Sequence, residues 1–360
     1  MSFFKSKSPQ VIILVAITLL VGCSNLGPNA IRMSRNDYNI VIEQTNNEQL
    51  LLNLVRLRYR DTPLFIETTS ISTSFAFGAN INASASLVPS VADKYGVSSG
   101  LSYVERPTIT YAPLQGQKFV KQILTPLNPQ ILLLLYHSGW SSDRLMRIVV
   151  QSLNGIPNAP TASGPTPDKA PEYERFNKVS ALMRRLQQSR SIILAADKAG
   201  KELVLKIVPE SHQSSDVQAF LQALNLDKET LQFPVTPSLI KSKKAIVMTT
   251  RSLMASMFYL SQAVEVPRRD RDAGKVTVTQ HESGDVFDWH DVTYDLFRIR
   301  TSSSRPSSPY VAINYRGAWF YIEDNDLTSK SSFSLLKQLL ALQSGEQKYY
   351  TPVLTIPITP

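Results

Sequence analysis

Cysteine is almost absent from this chain, which has one, Cys23, among 360 residues. That excludes an internal disulfide, a multi-thiolate metal centre and a cysteine nucleophile in the body of the protein. Signature loops are missing too. There is no HExxH, GxSxG, Walker or dinucleotide-glycine motif, and the SxxK spacing of Ser334 and Lys337 is accompanied by neither KTG nor SDN. Beyond Cys23 no run is long and apolar enough for a membrane-spanning helix. Charge is locally scarce as well, with no Asp, Glu, Lys or Arg between Glu67 and Asp93. These absences turn the reading from catalysis toward anchoring, assembly or binding.

What is present begins at the N-terminus. Lys5 and Lys7 precede the uncharged stretch Val11–Val21, and Gly22-Cys23 follows at once. A basic start, an apolar run of 11 residues and a small residue before the cleavage point describe a secretory signal at residues 1–22. The run is well short of the ~20 residues a spanning helix needs. With Leu20, Val21 and Gly22 leading into Cys23, the segment resembles the lipobox of a bacterial lipoprotein precursor. The resemblance covers these residues alone. It implies signal-peptidase recognition of Leu20, Val21 and Gly22, acylation of Cys23 and membrane lipid as a partner. Ser24, where an aspartate would imply retention, points to lipid anchoring at the outer membrane of a diderm cell, with the chain mostly facing the periplasm.

The formal net charge is +9, or about +7 once Lys5 and Lys7 are removed. In a cytosolic protein that balance would suggest nucleic acid. At an envelope surface the expected partner is an anionic lipid or cell-wall polymer and not nucleic acid. Lys241, Lys243 and Lys244, with Arg268, Arg269 and Arg271, are the clusters that would face it.

Residues 23–36, polar with Gly27 and Pro28, read as a lipidated tether. From Asp37 to Tyr59 apolar residues recur at three- and four-residue steps, a helix that Pro63 would end. Arg56, Arg58 and Arg60 crowd its last turns, where cations complement the helix dipole.

Residues 71–87 then alternate strictly. Ile71, Thr73, Phe75, Phe77, Ala79, Ile81, Ala83, Ala85 and Leu87 fall on one face, and Ser, Ala, Gly and Asn fall on the other. After a turn near Pro89 the alternation returns through Val97, Ser99, Leu101 and Tyr103, and again at Ile109 and Tyr111 beyond Pro107. This predicts a long β-hairpin. Strands in globular sheets run ~5–6 residues, whereas a strand crossing a bilayer needs ~9–11. One hairpin cannot close a barrel and lipid tolerates no open sheet edge, so a spanning hairpin requires several copies sharing one barrel. In organisation this is similar to lipoproteins of the curli-secretion, capsule-export and efflux channels, although capsule export uses helices. The assembly candidates are Ile71, Phe75, Phe77, Ile81, Leu101 and Tyr103. The alternative is a hairpin packed on the protein's own helices.

Short helices are predicted for 114–124, for Gln130 to His137 behind Asn128-Pro129, and from Ser142 to Leu153. Gly155 to Pro171, with five prolines, reads as a linker at 155–172. The expected architecture is therefore an α+β fold in two modules: residues 37–154, with a helix, the long hairpin and short helices, and residues 173–360. The second module holds mixed helices and antiparallel strands, including strands at Val276–Thr279 and Phe297–Arg300. Ser215 to Gln218 reads as a capping box, and Asp326 as the cap of a last helix.

Chemistry is thinly signalled. His281 and His290 stand among Glu282, Asp285, Asp288 and Asp291, but no pair of ligands shares an obvious helical face. They are weak metal candidates and would support a metal-dependent hydrolase. Asp324, Asp326 and Thr328 begin like a calcium loop without its glycine or closing glutamate. A hairpin turning at Arg316-Gly317 carries Tyr310, Trp319 and Tyr321, which either form core or, with Arg316, stack on a sugar or protein partner.

The sequence thus supports a lipid-anchored envelope protein with a structural or assembly role, as a homo-oligomer or beside other envelope-complex proteins, as in an oligomeric outer-membrane export channel. A monomeric lipoprotein binding cell-wall polysaccharide or a protein partner is the alternative. Neither an enzyme nor a cofactor is expected.

Overall fold

A computed structural model describes residues 26–86, 94–197, 200, 202–237 and 242–343. The signal segment, Cys23, Lys241 and the proline-bounded tail at 352–360 lie outside these residues. The fold is α+β, in two compact units: Leu64–Thr125, and Met1–Pro63 joined with Pro126–Pro360.

The first element, α1 (Leu26–Arg58), is a single helix of 33 residues, about 50 Å at 1.5 Å per residue. The expected tether is therefore helical from Leu26 onward. Pro28 sits in the first turn, where backbone N–H groups have no intrahelical partner to lose. In the C-terminal half of α1, Leu50, Leu51, Leu54, Val55 and Leu57 are buried at helical spacing. The helix ends before Pro63 is reached: Arg60 turns left-handed at φ 58°, and the Asp61 N–H closes back on the Arg56 carbonyl at 2.9 Å.

The smaller unit is dominated by β1 (Ile66–Ser86) and β2 (Lys94–Pro113), an antiparallel two-stranded sheet. It is longer than the alternation alone predicts, because Pro107 stays in register opposite Thr73. A proline is tolerated in an outermost strand at a position whose N–H would face away from the partner strand. A short helix, α2 (Gly116–Phe119), follows and widens into a π turn at Val120–Leu124. Within this unit the Leu114 N–H bonds the Phe65 carbonyl, the Phe65 and Phe119 rings lie 6.1 Å apart, and Lys118 pairs with Glu67.

The larger unit continues with α3 (Pro129–His137), capped by Asn128, and α4 (Ser142–Val149), which passes directly into β3 (Val150–Leu153) and β4 (Ile156–Pro157). Next come α5 (Glu174–Gln188), β5 (Ile192–Ala196), β6 (Leu203–Ile207), α6 (Ser215–Ala223), β7 (Gln232–Thr236), β8 (Ile246–Thr250) and α7 (Leu253–Ser261). The strands form one sheet in the order β4-β3-β8-β7-β6-β5, antiparallel except for β7 and β8. Helices α4, α5 and α6 pack in sequence, and α7 packs on α1 and α4. Beyond α8 (Arg268–Asp272) and α9 (His290–Thr293), a smaller antiparallel sheet is built from β9 (Arg300–Ser302), β10 (Pro309–Tyr315) and β11 (Ala318–Glu323), in the order β10-β11-β9. The last helix, α10 (Leu327–Gln343), is capped by the Asp326 carboxylate, which accepts the Ser329 N–H at 2.9 Å. Ser214, one residue before the expected capping box, caps α6.

Residues 155–172 are not a linker. Asn154-Gly155, both at positive φ, make a two-residue hairpin turn between β3 and β4. Asn158, Ala159 and Ala162 are fully buried. The Ala159 N–H bonds the Glu172 carbonyl, and Lys169 bridges Gln280, so the end of the segment is stitched to the stretch expected as a strand at 276–279. The fixing group is Arg251, itself fully buried. Its guanidinium donates to Ser163 Oγ and to the carbonyls of Arg147, Ile148, Val150 and Asn158, with the Tyr259 ring 4.2 Å away. Five acceptors around one planar fork bind this proline-rich stretch to the large sheet.

Candidate functional site

The register of β1 and β2 turns the sequence alternation into rows. Ten consecutive rows, from Ala76 opposite Val104 to Ala85 opposite Tyr95, contain no charged residue on either strand. Charges bracket them, at the row of Ser86 and Lys94 on one side and at the rows of Phe75 with Glu105 and Ser74 with Arg106 on the other. Alternate rows fall on the same face. One set pairs Phe77 with Tyr103, Ala79 with Leu101, Ile81 with Ser99, Ala83 with Val97 and Ala85 with Tyr95. The other pairs Ala76 with Val104, Gly78 with Ser102, Asn80 with Gly100, Asn82 with Ser98 and Ser84 with Gly96. The ribbon thus has one apolar and one small polar face. Of the predicted assembly residues, Phe77, Ile81, Leu101 and Tyr103 fall in the charge-free rows, Phe75 stands just outside them opposite Glu105, and Ile71 lies nearer the base opposite Ile109.

The aromatic hairpin of β10 and β11 divides its residues between core and surface. Ala318, Phe320 and Ile322 are buried, while Trp319 and Tyr321 alternate with them and are half-exposed. Tyr310 sits edge-on to Phe333 at 6.1 Å with Lys330 over its ring. Arg316 is committed elsewhere: at the turn, φ 51°, its Nη2 donates to both Asp61 carboxylate oxygens, at 3.0 and 2.8 Å, and the same carboxylate accepts the Tyr315 hydroxyl at 2.5 Å. Burial raises the Asp61 pKa, but the bonds from Tyr315 and Arg316 outweigh it and hold the carboxylate below its usual range. Trp319, with the Arg305 guanidinium 5.4 Å from its ring, and Tyr321 are half-exposed on this hairpin.

A second site, unsignalled by any motif, is a cleft of about 520 Å³ in the larger unit. Its cations come from three elements: Arg58 from the end of α1, Arg271 from α8 and Arg298 from the approach to β9. The end of α1 is tied to α8 through Asp270, which is fully buried and accepts the Tyr59 hydroxyl at 2.8 Å and Lys275 Nζ at 2.7 Å. Arg298 is neutralised by Glu265 through a 2.6 Å bond. Asp288 bonds the His290 backbone N–H at 2.9 Å. Arg58 differs. Nη1 donates to the Thr277 carbonyl at 3.2 Å, Nε is buried without a partner, and among the described residues no carboxylate pairs with Arg58 or Arg271. Burial lowers the Arg58 pKa to about 10, helped by the charges of Arg271 and Arg60, so the guanidinium stays charged at neutral pH.

The histidines of the weak metal candidate do not converge. His281 packs edge-on to Phe287 and His290 tilts on Tyr294, and among the described residues no group of three or more His, Cys, Asp or Glu could hold a metal ion. Among the same residues no helix is long and apolar enough to cross a membrane. The chain matches no known family, no curated protein and no solved structure.

Proposed function

We propose that this chain is a lipid-anchored cell-envelope protein with an assembly role, a subunit of an oligomeric outer-membrane export channel in which hairpins from several copies close one barrel. Cys23 is the acylated anchor. The observation that carries the reading is the charge-free block of ten paired rows. At ~3.4 Å per row and a tilt near 40°, ten rows rise about 26 Å, against an apolar band of about 25 Å on outer-membrane barrels. The face of Phe77, Ala79, Ile81, Leu101 and Val97 suits lipid, and that of Gly78, Asn80, Asn82, Ser98 and Ser102 suits a wet lumen. Tyr103 and Phe77 at one end and Tyr95 at the other occupy the positions of aromatic girdles. Sheet edges left open by a two-stranded ribbon require further strands in lipid, and further copies of the same hairpin supply them.

The test is the mass of the acylated protein in mild detergent, measured by light scattering beside a variant lacking Ser70 to Tyr111. A discrete multimer that becomes monomeric without the hairpin is expected. A monomer in both cases would refute the shared barrel. It would leave the second reading, a monomeric lipoprotein that binds cell-wall polysaccharide or a protein through Trp319 and Tyr321, which their partial exposure on one strand favours.

A further inference from the structure

We propose that the cleft between the end of α1, α8 and the approach to β9 binds a phosphomonoester, with Arg58 and Arg271 as the phosphate ligands. This inference is independent of the barrel. A half-buried guanidinium with an unpartnered Nε and no carboxylate counter-charge is a costly group to keep. The C-terminal dipole of α1 offsets at most about half a charge. Arg271, also without an acidic partner among the described residues, adds a second cation to the same walls.

Of the remaining charged groups lining the cleft, Arg298 pairs with Glu265, while the Asp288 carboxylate accepts only the His290 backbone N–H, so three arginines face two carboxylates across these walls. Arg58 and Arg271, the two without a carboxylate partner among the described residues, line the same cleft, and an anion with several acceptor oxygens can engage both. A phosphomonoester carries about −1.5 to −2 at neutral pH and three acceptor oxygens, which suits two guanidinium forks better than a single carboxylate does. The volume, about 520 Å³, leaves room for an organic portion, and Val278 and Val286 offer it an exposed apolar wall.

The experiment titrates the full-length protein at low salt with glycerol 3-phosphate, inorganic phosphate and acetate, following binding by calorimetry. Saturable binding of glycerol 3-phosphate at submillimolar concentration is expected. It should weaken at least tenfold in Arg271→Gln and in Arg58→Gln, and weaken with added salt. Acetate should bind at least tenfold less tightly than either phosphate. A structural role for Arg58 is separated by thermal unfolding without ligand. Arg58→Gln should leave the midpoint unchanged or raise it if the charge awaits a ligand, and a fall of several degrees would overturn that assignment. Absence of phosphate binding up to 10 mM, acetate binding as tight as phosphate, or full affinity retained in both variants would each overturn the proposal.

Discussion

Arg251 offers a test in which the physical terms point in different directions. Its guanidinium is fully buried with five acceptors, and no carboxylate pairs with it among the described residues. Burial lowers its pKa to about 10, which corresponds to roughly 3 kcal/mol against the charged form. Five bonds from a charged donor, at about 1.5 kcal/mol each, exceed that penalty and leave about 4 kcal/mol in favour of the native arrangement. The geometry of the donors therefore matters more than the charge. Arg251→Met removes both terms. The carbonyls of Arg147 and Val150 keep the Asn158 amide as donor and that of Ile148 keeps Ser256, whereas the Asn158 carbonyl is orphaned. A loss of about 2–4 kcal/mol is expected. Arg251→Lys keeps a buried charge but offers one compact ammonium that cannot span Ser163 and Asn158 together, so it should cost as much as methionine or more. Urea unfolding followed by tryptophan fluorescence measures both. Limited trypsin digestion reports the local consequence, because Lys169 lies in the clamped segment and should become a cleavage site in both variants. Losses below about 1 kcal/mol, or a lysine variant milder than the methionine one, would refute the reasoning.

Asp270 should govern part of the acid sensitivity. The bond from Lys275, with that from Tyr59, holds its carboxylate below the usual range, so its contribution is present above about pH 4 and is lost as the pH falls through the folded value. Asp270→Asn should cost about 2–3 kcal/mol at pH 7 and progressively less toward pH 3, read from urea midpoints. On the long hairpin, Ile81→Arg and Asn82→Arg occupy adjacent rows of opposite faces near the middle of the charge-free block. If the apolar face meets lipid, the first should cost about 2–4 kcal/mol of assembly and the second little, and equal effects on detergent-extracted oligomer would contradict the barrel. For Asp61 and Arg316, both about one-third exposed, a double-mutant cycle to alanine should give a coupling of about 1 kcal/mol by thermal unfolding, since one guanidinium nitrogen reaches both carboxylate oxygens but the pair is partly wet.

Where periodicity is the message, the fold was legible. The alternation of 71–87 predicts β1, the stripe of Leu51, Leu54, Val55 and Leu57 predicts the buried half of α1, and Arg316-Gly317 marks the turn of the small sheet. What composition alone suggested was less secure. Gly155 to Pro171 reads as a linker only while its prolines are counted and Asn154-Gly155 is not. That dipeptide between Leu153 and Ile156 is a strong hairpin signal, and it locates the β3–β4 turn. The partner that secures the rest, Arg251, lies about a hundred residues away in an unremarkable stretch, and no local pattern announces that a guanidinium will meet five acceptors there. Residues 23–36 read as a tether because they are polar with Gly27 and Pro28, yet both of these fall where a helix tolerates them, in its first turn.

The cleft shows the same limit from the other side. Arg56, Arg58 and Arg60 read equally as cations matched to a helix dipole, and for Arg56 and Arg60 nothing in the structure asks for more. Arg58 departs from its neighbours because Asp270 draws α8 against Tyr59, bringing Arg271 to the same walls. The residues involved lie more than two hundred positions apart. A charge becomes a candidate ligand through what fails to pair with it, and that is a property of packing that sequence spacing does not encode.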